Sequence, residues 1–251
     1  DTGAQSLIVR NRGLLLLTAL TAVVALVITF PARVAYQWMS SPFVQMSGIQ
    51  GTVWNGSARE FATNGVYLRE LTWRMHPLGI FTGKANYDIS GTPNSGFFES
   101  EVTLSLGGTL TLSNLSASVP LQMFEEASNI AGLRGNASLK FERLELRAGR
   151  AAAMDGTVDV ANLSVPMLGD TSLGGYRAEF YTQNNGIVAS VEDTDGVVDV
   201  AGSLQLNPDK TYAFRGQVVA KPNTPDNLTN QLRYLPTNDR GQHELSFEGQ
   251  Y

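Results

Sequence analysis

Beyond Pro77, apolar residues recur at every second position far more often than at every third or fourth, and a period of two commits the chain to strands. Within residues 101–106, Val102, Leu104 and Leu106 fall on one face while Thr103 and Ser105 fall on the other. Leu110 with Leu112, Leu139 with Phe141, Val158 with Val160, Leu204 with Leu206, and Tyr212 with Phe214 continue the alternation. Gly107-Gly108, Asn184-Asn185-Gly186, Asp195-Gly196 and Asn207-Pro208-Asp209 supply turns between these runs, so antiparallel meanders are expected. The long helical crossovers that a parallel sheet needs are missing. The expected fold class is an all-β module: an elongated, twisted antiparallel sheet able to curl into a groove, carrying two short helices.

Those helices are expected where the period changes. Leu121, Phe124, Ala127 and Ala131 follow Pro120 at near-helical spacing. Thr224-Pro225 reads as an N-cap followed by proline at the first helical position, with Leu228, Leu232 and Leu235 on one stripe. A weak repeat also runs through the strands. Gly108–Pro120 resembles Gly156–Pro166, and Gly202–Pro208 echoes the opening of both, which suggests stacked β units.

The N-terminal stretch is different. No charged residue occurs from Gly13 to Ala32, and Leu14–Phe30 is almost wholly Leu, Val, Ala, Ile and Thr. Such a run can cross a hydrocarbon core of roughly 30 Å. It reads as an uncleaved anchor rather than a signal peptide, because Arg33 occupies the minus-three position of a cut near Ala35. Arg10 and Arg12 precede the run and Arg33 follows it, which favours a cytoplasmic N-terminus. Tyr36 and Trp38 would then belong to an interfacial aromatic belt. The expected division is a cytoplasmic N-terminus over residues 1–12, a transmembrane helix over 13–32, a periplasmic linker over 33–47 and the all-β periplasmic domain over 48–251.

That domain opens on Gly48–Pro77, where Asn55-Gly56 predicts a tight hairpin turn and Leu71, Trp73 and Met75 share one face of a strand that Pro77 ends. Catalytic chemistry is hard to assemble. The two histidines, His76 and His243, lie in separate strand contexts without a second histidine at ligand spacing, and the chain has no cysteine. No nucleophile elbow, phosphate loop or zinc-protease motif occurs. Glu192-Asp193-x-Asp195 reads as a solvated turn. A net charge of -5 argues against a nucleic-acid surface. No catalytic, cofactor-binding or metal-ligating residue is expected, and the chain is expected not to be an enzyme.

Gly51-Thr-Val-Trp54-x-Gly56, then Leu71-x-Trp73 and Pro77-Leu78, then Gly-initiated strands, Val200–Gly216 and the closing Arg240–Gly249 resemble, in that order, the bacterial type II secretion system protein N family. The resemblance covers residues 8–251 and implies a non-catalytic accessory subunit of the inner membrane. Such a subunit would have one span, most of its chain in the periplasm and other inner-membrane subunits of the secretion machine as partners. Gly51, Trp54, Gly56, Leu71, Trp73 and Pro77 carry the motif and are the candidate docking residues, although by residue type Trp54 and Trp73 read as core aromatics that seat the first hairpin on the sheet. A second resemblance is to AsmA-like periplasmic proteins, which pair one anchor with a long sheet and imply a lipid-binding or lipid-transfer groove. Leu104, Leu106, Leu110, Leu112, Leu139, Phe141, Val158, Val160, Leu204, Leu206 and Phe214 would line that groove or, equally, a packed core.

Overall fold

Fourteen strands join into one sheet in which every pairing is antiparallel, in the computed structural model that describes residues 17–39, 44–63, 66–93, 95–125, 130–168, 172–183 and 186–250. The first strands are β1 (Val44–Ser47), β2 (Gln50–Gly51), β3 (Asn55–Thr63), β4 (Val66–His76) and β5 (Lys84–Pro93). Then come β6 (Phe97–Ser105), β7 (Thr109–Pro120), β8 (Arg134–Arg147), β9 (Arg150–Ser164) and β10 (Gly174–Gln183). The last four are β11 (Gly186–Asp193), β12 (Val198–Leu206), β13 (Thr211–Ala220) and β14 (His243–Gln250). From β3 to β14 each strand pairs with the next in sequence, β1 lies outside β3, and the short β2 also pairs with β3.

Alternation within each strand is converted into rows across them. Met75, Tyr87, Val102, Leu112, Leu144 and Met154 are successive Cα partners from β4 to β9. Leu115, Phe141, Gly156, Phe180, Ala189, Leu204, Phe214 and Phe247 form another row, from β7 to β14. A face this apolar must be covered, and three connections do so. Helix α2 (Ala32–Met39) lies over the N-terminal strands, the β7–β8 connection packs Leu121 and Leu133 against Phe141, and α3 (Asp226–Leu232) packs Leu228 and Leu232 against Val198 and Val218. Helix α1 is our label for the helical residues 17–28.

Several expectations need correcting. The proposed anchor is only partly described, since residues 1–16, with Arg10 and Arg12, lie outside the described set. Among the described residues no helix is long and apolar enough to cross a membrane. Ala32, expected to end the anchor, instead begins α2 and is buried. The stretch 33–47, expected as a linker, contains most of α2 and all of β1. Tyr36 is half-buried: its hydroxyl donates to Val44 O and accepts from Met46 N, which pins β1 to α2. The helix expected at 121–131 appears as a 3-10 turn over Leu121–Phe124, and residues 126–129 lie outside the described set, as does the Asn184-Asn185 part of an expected turn. Thr224 does not cap α3. Its hydroxyl accepts from Lys221 N and donates to Val197 O, leaving Pro225 as the N-cap.

The repeat has a partial physical counterpart. Gly108 sits in a turn while Gly156 and Gly202 lie inside strands, so the glycines are not equivalent. Six residues on in the first two copies, however, Asn114 and Asn162 both adopt a left-handed backbone, with φ of 51° and 53°, beside a register shift in the ladder. Asparagine tolerates that region better than most side chains, and each such bulge re-aims the residues after it. Both copies then end at a proline that leads into a 3-10 turn.

On the polar face of β8, Glu145 is buried between Arg143 and Arg147. The Arg143 hydrogen bond is the largest influence and holds the carboxyl below its ordinary 4.5, against the opposing effect of burial. A carboxyl depressed by folding contributes stability above its unfolded value, and that contribution disappears as pH falls through the folded value. Glu145→Gln should therefore lower the urea midpoint at pH 7, with the gap to wild type narrowing below about pH 4. Equal gaps at pH 7 and pH 3.5 would exclude this role.

Candidate functional site

The candidate docking residues, all within Gly51–Pro77, meet at one end of the sheet. Gly51 pairs with Gly56, Gly56 with Trp73, and Ala58 with Leu71. Asn55-Gly56 is not the hairpin turn itself; the turn runs through Thr52–Trp54, and Asn55 already begins β3. Glycine at position 56 has a different cause. A Cβ there would stand 2.5 Å from Trp73 Cζ2 and 2.6 Å from Gln50 O, so the Trp73 ring and the β2 backbone together require its absence. Leu71 and Met75 are buried and Trp73 is half-buried among them, while Thr72 and Arg74 face outward. A left-handed Glu70 with a register shift toward β5 lets both Leu68 and Leu71 point inward.

Trp73 and Trp54 use their indole N–H groups differently. Trp73 Nε1 donates to Thr52 O at 3.1 Å, which holds the β2–β3 turn down on β4. Trp54 Nε1 donates to Val27 O at 2.7 Å, the backbone of α1, while its own carbonyl accepts from Met75 N at 2.7 Å. Val53 N donates to Phe30 O, and Pro31 bridges to Thr52. The α1 terminus is thus fastened to the sheet through residues 52–54.

Beneath α2 lies an apolar cavity of about 510 Å³, within the size range of small-ligand sites. Tyr36, Met46, Phe61, Leu71, Trp73 and Leu104 are among its walls. Of the residues proposed above for a groove, Leu104 alone lines it. Phe141 and Phe214 are buried, Leu110, Leu112, Leu139, Val158, Val160, Leu204 and Leu206 are half-buried along the rows, and Leu106 projects into solvent. Sequence alternation does not reveal this cavity, because α2 supplies part of its wall and a helix carries no period-two signal.

Titratable groups are dispersed. His76 Nε2 lies 2.8 Å from Asp88 Oδ2 on an exposed surface, and His243 Nδ1 is 3.4 Å from Thr237 Oγ1 at the far end of the sheet. Among the described residues no group of three or more His, Asp or Glu could hold a metal ion. Lys221 Nζ donates to Asp193 and to Gly196 O at 3.0 Å. Burial would raise the Asp193 pKa, but the bonds from Lys221 and Val200 N–H outweigh it and hold the carboxyl low. Tyr176, raised to about 12 mainly by burial, donates to Leu173 O. These are supports for the β9–β14 half and do not converge on a common point.

A sequence model described as type II secretion system, protein N, matches residues 42–244, which contain β1 to β13 and the first two residues of β14. The chain belongs to the type II secretion system protein N family. It is 24% identical to the type II secretion system protein N of Vibrio cholerae serotype O1 over 257 aligned residues, covering 95% of this chain and 97% of that one. The corresponding protein of Aeromonas hydrophila is 22% identical over 241 residues, covering 89% and 92%. No solved structure matches. As a member of this family the protein takes part in type II secretion. The matched region begins just before β1, so β1–β4 lie at its start and α2 lies before it.

Proposed function

We propose that this protein is a non-catalytic accessory component of the type II secretion machine, held in the bacterial inner membrane by its N-terminal apolar run with its sheet in the periplasm. It would support export of folded periplasmic proteins across the outer membrane by docking to other inner-membrane subunits through the Gly51–Pro77 junction. The observation that carries this reading is α1. Every described residue of it is exposed, nearly all are apolar, and its end is hydrogen-bonded to the sheet rather than loosely tethered. An apolar helix exposed all round suits lipid on every side. The non-catalytic part rests on the dispersal of His76, His243 and the acidic residues over separate strands.

Pull-down of the tagged protein from its native membrane is expected to recover inner-membrane subunits of the machine, and deletion of the protein is expected to reduce export. Normal export in the deletion strain together with no subunit contact would overturn the proposal. A second reading, favoured by the apolar cavity under α2, is that the sheet binds lipid. Native mass spectrometry of detergent-purified protein then shows co-purifying phospholipid, whereas its absence leaves the cavity as a gap in an ordinary core.

A further inference from the structure

The sheet has two ends where its strands turn, and the one beside α1 is unusual. The β4–β5 connection is a 3-10 turn over Pro77–Thr82 whose Leu78 and Phe81 are 78% and 88% exposed, and Ile80 is exposed as well. One hairpin along, at the β6–β7 turn, Leu106 is 92% exposed. The two tips touch: Leu106 N donates to Gly83 O at 3.2 Å, and a Cβ on Gly83 would stand 3.1 Å from Leu106 Cδ1. Four large apolar side chains therefore form one patch that no other part of the described chain covers.

The same end holds the terminus of α1. Trp54 links Val27 O to Met75 N, and Met75 lies two residues before Pro77. Trp38 is exposed with its ring 5.5 Å from that of Phe30, at the junction of α1 with α2. Trp54 thus ties the terminus of the exposed apolar α1 to the strand that leads into the patch. A protein partner would cover one side of such a helix, whereas a bilayer covers every side and reaches the neighbouring tips as well. Aromatic rings at the helix end suit the headgroup level, and the exposed Lys84, just after Gly83, can lay its stem along the tip with its ammonium among lipid phosphates.

We propose that the β4–β5 and β6–β7 tips are immersed in the outer leaflet of the membrane that holds α1, so that the sheet stands on the bilayer with its turn edge in lipid. Leu78, Ile80, Phe81 and Leu106 are the immersed groups. This rests on the anchored reading given above. It adds a second membrane contact beside the fastened end of α1.

The chain has no cysteine, so single spin labels can be placed without background. The full-length protein in phospholipid nanodiscs would carry Leu20→Cys, Phe81→Cys, Leu106→Cys or Met167→Cys, the last on the exposed turn at the opposite end of the strands. Power-saturation measurements compare collision with oxygen, which concentrates in lipid, and with a water-soluble nickel chelate. The oxygen-to-nickel ratio at positions 81 and 106 is expected to exceed that at 167 severalfold and to approach that at 20. A lipid-like label at 20 with aqueous labels at 81 and 106 overturns the immersed edge and leaves the anchor standing. Aqueous labels at all three positions overturn both.

Discussion

Phe141→Ala is expected to lower the unfolding free energy by about 3–5 kcal/mol, measured as a fall in the urea midpoint with little change in slope. Phe141 sits on β8 in the longer of the two apolar rows, is 5% exposed, and packs against Leu121 and Leu133 of the β7–β8 connection. Its ring lies 5.9 Å from that of Phe180, tilted by 50°, across the space that Gly156 leaves between β8 and β10. Truncation removes a large buried side chain and opens a hole that strands pinned on both sides cannot close. The residues above and below the ring belong to well-separated parts of the chain, so the loss should appear as a weakened centre of the sheet. A shift below about 1 kcal/mol would mean that the face near Phe141 is an open trough, as a continuous lipid groove requires. Leu106→Ala makes the matching comparison: although assigned to the same face by alternation, it is solvent-exposed and should change the midpoint by less than about 0.5 kcal/mol.

That contrast shows which level of the fold was legible in the residues. A period of two carries parity, and parity correctly separates the apolar from the polar face wherever a strand has a partner on each side, as at Leu112, Leu139 or Phe214. It says nothing about where pairing stops. Ser105 is the last residue of β6 to pair with β5, so Leu106 keeps the parity of an inward residue while having no neighbouring strand to pack on. Parity is also reset by bulges at Glu70, Asn114 and Asn162, whose left-handed backbones depend on the ladder around them more than on their own residue types. The motif residues were legible as a group, but their meeting point was not, because α2 and β1 occupy a stretch that looks like a connection. Ala32 and Tyr36 are spaced for a helix turn, yet eight residues next to a longer apolar run give no separate signal. Thr224 illustrates competition of another kind: a hydroxyl suited to capping α3 finds Lys221 N and Val197 O instead, and so ties the start of α3 to the β13 end.

Trp73→Ala and Trp54→Ala should separate holding the sheet together from holding the helix to it. Trp73 fills the space between Gly56 and the residues under α2, and its N–H holds the β2–β3 turn, so removing it should cost about 3 kcal/mol, the lower end for a large aromatic because the ring is only half-buried. The first strands would then be cut by protease at concentrations the wild type withstands. Trp54 makes a different contact. Its loss removes one hydrogen bond to Val27 O, worth about 1 kcal/mol, and loosens the end of α1, which keeps only the backbone contacts of Val53 N to Phe30 O and of Pro31 to Thr52, while leaving the β3–β4 pairing intact. The sheet of Trp54→Ala should remain protease-resistant, but its recovery of inner-membrane subunits in a pull-down should fall, because a docking surface set by the helix–sheet angle loses that angle. Resistance in Trp73→Ala would show that the N-terminal core does not depend on it. Undiminished subunit recovery in a folded Trp54→Ala would place the docking surface away from Gly51–Pro77, on the polar face or toward β14.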